Sequence, residues 1–494
     1  MYKIEICFLD KDFEHDIYEL IKAFYPEAEI RMTYEAEETH FCDLLFVSSK
    51  AEGSYLIRYE GEGKSGQISI KESESRRENK DHLKYALYQD VLVKLTGCTL
   101  PWGNLTGIRP VKLAMGMLDT GLTNVQTAQE MRDRYLVSPK KTALAVAIAN
   151  REKDILKDID YDKGYSLYVG IPFCPSICLY CSFSSYPLKL WASRTDEYLD
   201  ALCKEAEAVA SLMKSLGRKL DTIYIGGGTP TTLEPYQLER LLDCLSRQFG
   251  YDGLLEFTVE AGRPDSITKE KLASIHRFPV TRISVNPQTM NQNTLNLIGR
   301  KHSVEDTKKA FELAREQGFD NINMDLIVGL PGEDYAMVEY TLEQVKALDP
   351  DSLTVHSLAV KRAARLNIFR DQYQEMTFEN NQEIMELTMK TAYEMEMSPY
   401  YLYRQKNMKG NFENVGYAKV DKAGIYNILI MEEKQPIIAL GAGGSSKLVF
   451  DHERRIERVE NVKDVTNYIS RIDEMIQRKQ TGITRWLRDW REDS

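Results

Sequence analysis

The chain has 494 residues, of which 43% are hydrophobic and 28% are charged, and its formal net charge is −11. This length exceeds what one hydrophobic core usually organises, so we expect two or three domains. The negative charge argues against broad binding to nucleic acid or to anionic membranes, although a local basic pocket for a small anion is compatible with it.

The N-terminal residues alternate apolar and charged positions and show no basic patch followed by an apolar run. No stretch has the eighteen or so uncharged apolar residues of a membrane span. We therefore expect a cytoplasmic protein. Eight cysteines in this length do not resemble a secreted disulfide framework, so reduced thiols are expected. The cysteines that stand alone are Cys7, Cys42, Cys98, Cys203 and Cys244.

The first 160 residues predict two regions. Residues 1–100 mix short strand-like runs, such as YKIEICFL and SYLIRYEG, with helical stretches such as HDIYELIKAFY, which indicates an α/β or α+β module. Residues 101–160 begin with the turn-rich TLPWGNLTGIRP and continue as a helical linker.

Residues 161–375 alternate short β-branched runs with amphipathic helices. Pro235 suits a first helical turn, and Ser303 with Asp306 forms a capping-box-like helix start. Six such units in a row predict a parallel sheet curved into a partial (β/α)6 barrel, whose chemistry lies at the carboxyl ends of the strands. The predicted strands are 166–171, 222–227, 254–260, 281–286, 321–329 and 352–358.

After about residue 375 this alternation breaks down. Residues 376–494 contain a long helix at 380–397, an apolar run at 425–440 that predicts a hairpin, the Gly-rich GAGGSS, and a C-terminal amphipathic helix with Trp486 and Trp490. We interpret this region as an accessory domain.

The segment CPSICLYC puts Cys174, Cys178 and Cys181 in a loop directly after the first barrel strand. A structural zinc site normally has four protein ligands, and no fourth Cys or His is nearby. An iron-sulfur cluster held by three thiolates leaves one iron open to an outside molecule. A three-ligand catalytic zinc site and incidental thiols remain alternatives.

Further polar and glycine residues follow the later strands. GGGTPT ends the second strand, and three glycines let a ligand approach bare backbone groups. Glu260 ends the third strand, Gln288 follows the fourth, Arg300 lies one helix later, and Asp325 lies inside the fifth. A carboxylate near a barrel mouth is costly unless it is paired or ligand-bound, so Glu260 and Asp325 are candidate functional residues, with a structural role as the alternative.

Together the segments YVGIPFCPSICLYCSF, GGGTPT, SVNPQ, LIGRKH and MDLIVGLPGE resemble the radical S-adenosylmethionine (SAM) enzymes. Within them, PWGNLTGIRPVK, KRAAR, YLYRQKNM and ENVGYA are similar to the HemZ branch of the oxygen-independent coproporphyrinogen III dehydrogenase family. The resemblance covers most of the chain. It implies a 4Fe-4S cluster whose open iron binds SAM, and an electron from that cluster cleaves SAM to a 5′-deoxyadenosyl radical.

The resemblance assigns roles residue by residue. Cys174, Cys178 and Cys181 match the cluster ligands, and Tyr168, Glu260 and Arg300 are the candidate catalytic residues. The positions that match contacts to SAM are Tyr168, Tyr180, Gly226, Gly227, Gly228, Thr229, Glu260, Gln288, Arg300, Asp325 and Ala359.

Two positions depart from the pattern of the coproporphyrinogen enzyme. Its fourth cysteine is replaced by Phe183, as in the related heme-chaperone branch, and its histidine before the IPFC run is Gly170 here. The number of SAM molecules, one or two, is therefore open.

The implied reaction is oxidative decarboxylation of two propionates of coproporphyrinogen III, which yields protoporphyrinogen IX in heme biosynthesis. The implied partners are this tetrapyrrole and a reduced flavodoxin or ferredoxin, with no nucleic acid. The alternatives are a heme-binding chaperone or trafficking protein on the same scaffold and a radical SAM enzyme that acts on heme. Candidate groups for the substrate carboxylates are Lys361, Arg362, Arg365, Arg404, Lys406 and Lys409.

Overall fold

The computed structural model of the chain describes residues 2–35, 42–61, 63–106, 109–183, 185–359, 364–368, 380–405, 412–450 and 455–492. The chain forms two compact units. One comprises Met1–Asn150 with Leu402–Glu413, and the other comprises Arg151–Tyr401 with Asn414–Ser494. Among the described residues, we find no helix with the length and hydrophobicity that crossing a membrane requires.

The first unit is built on a mixed sheet in the order β2-β1-β3-β4-β5. The strands are Lys3–Phe8 (β1), Glu29–Thr33 (β2), Leu44–Ala51 (β3), Ser54–Gly61 (β4) and Lys64–Lys71 (β5). The helices before residue 160 are Glu14–Phe24 (α1), Arg76–Ala86 (α2), Val93–Thr96 (α3), Pro110–Asp119 (α4), Asn124–Asp133 (α5) and Pro139–Ile155 (α6), with a π-helical turn, Leu87–Leu92, between α2 and α3. Buried residues of β1, such as Ile4 and Ile6, pack in one core with Ile17 of α1 and Leu83 of α2.

The predicted strands of this unit are present, but the polar edge strand β2 was not predicted. Its residues EIRMT are mostly exposed, so they lack the apolar alternation on which the prediction rested. The predicted linker supplies α4 and α5 to this unit, and Thr123 with Gln126 forms the capping box that starts α5.

The second unit contains the predicted partial barrel. Its parallel strands are Gly164–Ile171 (β6), Lys219–Gly227 (β9), Glu256–Gly262 (β10), Arg282–Val285 (β11), Ile322–Val328 (β12) and Ser352–Ser357 (β13); the short pair Phe173–Cys174 (β7) and Tyr186–Pro187 (β8) lies beside them. The intervening helices are Leu188–Trp191 (α7), Thr195–Ser215 (α8), Pro235–Phe249 (α9), Lys269–His276 (α10), Gln292–Leu297 (α11), Val304–Glu316 (α12) and Tyr335–Leu348 (α13). Most residues of these barrel strands are buried, as expected for parallel strands covered on both faces.

Both predicted helix starts are confirmed. Pro235 is at the first position of α9, and Ser303 and Asp306 form the capping box of α12. Along α9, the buried residues Leu238, Leu241 and Leu245 recur at helical spacing, so this face packs inward.

The C-terminal region adds strands to the same sheet, whose order is β14-β15-β13-β12-β11-β10-β9-β6-β16-β17-β18. The added strands are Ser398–Tyr403 (β14), Asn414–Ala418 (β15), Ile437–Leu440 (β16), Ser445–Phe450 (β17) and Arg455–Glu460 (β18). The remaining helices are Arg365–Ile368 (α14), Gln382–Glu394 (α15), Ile425–Glu432 (α16), Val465–Ser470 (α17) and Ile472–Glu492 (α18). The elements that we interpreted as an accessory domain thus extend the barrel sheet at both edges.

The predicted hairpin at 425–440 is wrong. Ile425–Glu432 is the helix α16, and β16 pairs in parallel with β6. The buried carboxylate of Glu256 accepts the backbone N–H of Ile425, which satisfies an otherwise unpaired donor at the helix start. An apolar run of this length is compatible with either structure, and this tertiary contact favours the helix.

Candidate functional site

The three clustered cysteines lie where the sequence predicts, after β6 at the carboxyl end of the barrel strands. Cys174 ends β7, and Cys178 and Cys181 lie in the loop that follows. The loop is held by hydrogen bonds from the N–H of Leu179 to the carbonyl of Ile298 and from the Ser176 hydroxyl to the carbonyl of Gly299. Its geometry is therefore set by the segment after α11 as well as by its own residues.

Burial disfavours the charged form of these thiols. It raises the pKa of Cys174 to about 11, and it also raises the pKa of Cys181. Within the described ranges, no three His, Cys, Asp or Glu side chains converge so as to hold one metal ion. Thiolates of a cluster bind different irons and need not converge on a point.

The glycine segment GGGTPT lies against this loop. An added Cβ at Gly228 would come within 2.5 Å of the Phe173 carbonyl oxygen, so only glycine lets the two backbones approach this closely. Gly227 has φ = +110°, a conformation that favours glycine. The Thr229 hydroxyl donates to the Cys174 sulfur at 3.5 Å. The strand end and the cysteine loop thus form one packed structure.

Three tyrosine rings stack in the barrel interior. Register places Tyr168 of β6 beside Tyr224 of β9, with ring centroids 6.3 Å apart. Tyr426 of α16 stacks on Tyr224 at 4.5 Å. Tyr224 also donates its hydroxyl hydrogen to the carboxylate of Glu260. Glu260 lies next to Gly226, so this group lies at the carboxyl end of β9, beside the glycine segment.

The two strand-end carboxylates have pKa values shifted in opposite directions. Burial raises the pKa of Glu260 to about 7, an effect that the Tyr224 hydrogen bond only partly offsets. Burial would also raise the pKa of Asp325, but His356 and Asn323 outweigh it and hold that pKa below its usual value. The Asn323 amide donates to Asp325 at 2.7 Å. At neutral pH, Asp325 is therefore ionised and Glu260 is near its midpoint.

The other predicted SAM-contact residues lie around these groups. Gln288 is buried with φ = +70°, and its backbone exchanges hydrogen bonds with the backbone of β12 at Asp325 and Ile327. The guanidinium of Arg300 is buried, donates to the Asn286 carbonyl, and interacts with Cys178 and Tyr180. Ala359 lies just beyond β13 and is half-buried.

The structure therefore brings the predicted residues into two adjoining groups. Glu260 interacts electrostatically with Asp325 and Tyr168, whereas Arg300 and Tyr180 lie at the cysteine loop. Four residues near them were not predicted: Tyr224, Arg263, His356 and Tyr426. Residues two apart in a strand lie on the same face, so the position of Gly226 could have indicated Tyr224 on that face of β9.

The predicted carboxylate-binding groups are spread over the chain. Lys361, Arg362, Lys406 and Lys409 lie outside the described residues. Arg365 starts α14 and is exposed. Arg404 is buried in the first unit, donates to the Leu105 carbonyl at 2.8 Å, and lies over the Trp102 ring. Its burial lowers its pKa to about 10, so its contacts favour a structural role.

Comparison with known proteins identifies the family. The model of the Radical SAM superfamily matches residues 168–345. The oxygen-independent coproporphyrinogen-III oxidase-like protein HemZ of Bacillus subtilis (strain 168) is 38% identical over 462 residues, which cover 91% of each chain. The chain belongs to this HemZ family of radical SAM proteins.

Two other relatives connect the HemZ family to different activities. The heme chaperone HemW of Bacillus subtilis (strain 168) is 41% identical over 197 residues, which are 40% of this chain and 51% of HemW. The solved structure of the radical SAM enzyme coproporphyrinogen III oxidase (HemN) from Escherichia coli superposes with a TM-score of 0.52 at 23% identity, covering 66% of this chain and 73% of HemN. This likeness confirms the predicted fold.

Radical SAM proteins use a 4Fe-4S cluster and SAM, and these are the cofactors of this HemZ-family chain. Its residues fit them. Three thiols in one loop match the donors of an iron-sulfur cluster. Beside them, an added Cβ at Gly226 would lie 3.2 Å from the Glu260 carboxylate, so the missing side chain leaves room for a ligand at that carboxylate.

Proposed function

We propose that the protein catalyses the oxygen-independent oxidative decarboxylation of coproporphyrinogen III to protoporphyrinogen IX. The observation that carries the proposal is the cysteine loop after β6, which packs against the glycine segment directly beside the Glu260 carboxylate. The similarity to HemZ over nearly the full chain supports it, since that relative is named as coproporphyrinogen oxidase-like.

In this proposal Cys174, Cys178 and Cys181 hold the cluster, and the residues at the strand ends hold SAM. When bound and reduced, the cofactor pair supplies a 5′-deoxyadenosyl radical, which removes a hydrogen atom from the substrate propionate. The Glu260 carboxylate accepts hydrogen bonds from the methionine ammonium group, because a neighbouring cation favours the ionised form of Glu260. Asp325 accepts hydrogen bonds from the ribose hydroxyls, and Arg300 forms an ion pair with the methionine carboxylate.

The aromatic residues and the remaining SAM contacts shape the pocket. Tyr168 and Tyr180 pack beside the cofactors and exclude water. Gly227, Gly228 and Thr229 lie along the methionine moiety of SAM. Gln288 and Ala359 complete the wall around the adenosine. A reduced flavodoxin or ferredoxin supplies the electrons, as expected for a low-potential cluster.

A heme chaperone is the second candidate function, and Phe183 favours it. This residue occupies the position of the fourth cysteine of the coproporphyrinogen enzyme and is 73% exposed. The similarity to HemW, at 41% identity over 197 residues, supports the same candidate.

Anaerobic incubation of the reconstituted protein with SAM, reductant and coproporphyrinogen III tests the proposal. Accumulation of protoporphyrinogen IX with 5′-deoxyadenosine supports decarboxylation. Stoichiometric heme binding without turnover would favour the chaperone instead, and SAM cleavage that requires heme would indicate an enzyme acting on heme. The Cys178→Ser variant, assayed in parallel, excludes contaminating activity.

A further inference from the structure

Arg263 places a buried positive charge against the cysteine loop. It lies directly after β10, and only 3% of its surface is exposed. Its Nη1 atom donates to the carbonyl oxygen and the hydroxyl of Ser176, at 3.0 and 2.9 Å. The same atom lies 3.8 Å from the sulfur of Cys178. A single nitrogen therefore contacts both the backbone of the loop and one of its thiols.

Asp265 fixes the orientation of this guanidinium. Its two carboxylate oxygens accept from Nε and Nη2 of Arg263 at 2.9 and 2.7 Å, which is the bidentate geometry of a strong arginine–carboxylate pair. The pair is local, because Arg263 and Asp265 flank Pro264 at the start of a 3₁₀ turn, Pro264–Ser266. With two nitrogens held by Asp265, Nη1 is left to face the loop.

We propose that Arg263 and Asp265 form a charge pair that sets the reduction potential of the cluster, with Arg263 as the residue that acts on the Cys178 sulfur. The inference rests on the ligand set proposed above. It assigns to Arg263 a positioning and tuning role that is separate from SAM binding, since the described hydrogen bonds of its side chain are with Ser176, Cys178 and Asp265.

The sign of the effect follows from electrostatics. Reduction adds an electron to the cluster, so a nearby positive charge stabilises the reduced form and raises the potential. A hydrogen bond to a ligand sulfur acts in the same direction, because it withdraws charge from the sulfur. Asp265 carries the opposite charge and contacts Nε and Nη2, whereas Nη1 faces the sulfur, so Asp265 partly offsets Arg263.

Matched variants separate charge from structure. Arg263→Gln removes the positive charge, Asp265→Asn removes the negative charge with a nearly isosteric group, and the double variant removes both. Arg263→Lys retains the charge but loses the bidentate contact. Arg277→Gln is the control, since Arg277 is exposed and its ion pair with Glu239 lies on the protein surface.

The measurement is an anaerobic redox titration of the reconstituted cluster in the absence of SAM and tetrapyrrole. The electron paramagnetic resonance signal of the reduced cluster monitors the titration. Iron content per chain confirms equal loading. We expect a more negative potential in Arg263→Gln and a more positive one in Asp265→Asn. The double variant should lie between Arg263→Gln and the wild type, and Arg263→Lys and the control should stay near the wild type.

Shifts of the same sign in Arg263→Gln and Asp265→Asn would overturn the inference, because loosening of the loop or entry of water would act alike in both. An unchanged potential in Arg263→Gln would overturn it as well. If Arg263→Gln loses iron, the potentials of Asp265→Asn and Arg263→Lys decide the test, because both keep the positive charge at position 263. A failure of the decarboxylation assay leaves these potentials measurable, whereas a Cys178→Ser variant with a full cluster would refute the ligand set itself.

Discussion

Lys479 of α18 and Glu205 of α8 form an ion pair in which both side chains are completely buried, with Nζ and Oε1 2.5 Å apart. Tyr468 and Asn461 donate to the same carboxylate, at 2.6 and 2.8 Å. The other oxygen of Glu205 accepts the N–H of Gly441 in the GAGGSS segment. This network ties the C-terminal helix to the barrel, because a buried charge is tolerated only when it is paired and hydrogen-bonded.

We expect Lys479→Met to destabilise the second unit by about 3–5 kcal/mol, since it leaves Glu205 buried without a counter-charge. Urea denaturation at neutral pH measures the change. Lys204→Met is the matched control: Lys204 pairs with Asp473 on the same two helices, but the pair is exposed, and its loss should cost less than about 1 kcal/mol. Equal effects of the two variants would contradict this account.

Cys178→Ser should abolish the visible absorbance of the reconstituted cluster and all SAM cleavage. A serine hydroxyl is a poor replacement for a thiolate ligand, and the loop supplies only three thiols. Cys98→Ser, at an exposed position of the first unit, should leave both unchanged. A Cys178→Ser protein that still cleaves SAM would remove Cys178 from the ligand set.

Glu260 should make the cofactor-free protein less stable as the pH rises. Its pKa in the folded chain, about 7, exceeds the ordinary value of 4.5. The folded state therefore binds the proton more tightly than the unfolded state does. The resulting stability is fully present below pH 4.5 and is lost as the pH rises through about 7.

Comparison with Glu260→Gln isolates this effect. Relative to the variant, the wild type should lose about 3 kcal/mol of unfolding free energy between these pH limits. Urea denaturation at closely spaced pH values measures the difference. Glu305→Gln, at an exposed position of α12, should follow the wild-type profile. A wild type and Glu260→Gln with parallel profiles would show that Glu260 titrates normally.

Cys203 of α8 and Cys244 of α9 should differ in reactivity although their thiols are neighbours. A hydrogen bond from Cys244 lowers the pKa of Cys203, and the same contact raises the pKa of Cys244. Asp200 and Arg240, which lie about one turn before Cys203 and Cys244 on the same two helices, also form an ion pair. The two helices therefore face each other along this stretch. At a given pH, Cys203 therefore carries more thiolate.

Timed alkylation with peptide mass spectrometry should show that Cys203 is labelled faster than Cys244. Cys244→Ala should slow the labelling of Cys203, because its thiolate loses a donor, while the exposed Cys98 keeps its rate. Faster labelling of Cys203 in this variant would instead indicate that Cys244 only shields it.

The barrel core could be predicted from sequence because its signals are local. Each βα unit has its own apolar strand and amphipathic helix, and caps such as Ser303 with Asp306 mark where helices begin. The three cysteines are close in sequence, so the loop that holds them was evident before any fold was known. The positions of Glu260 and Asp325 near strand ends followed from the rule that parallel strands present their carboxyl ends at one edge.

Only the tertiary structure decided which distant residues meet at this site. Tyr426 was predicted in a hairpin, yet α16 brings its ring onto Tyr224, some 200 residues earlier in the chain. Arg263 reaches Cys178 from a separation of 85 residues. Periodicity within a segment reports which face is buried, but it carries no information about the partner of that face. The partner is set by strand order, register and packing, which are properties of the whole chain.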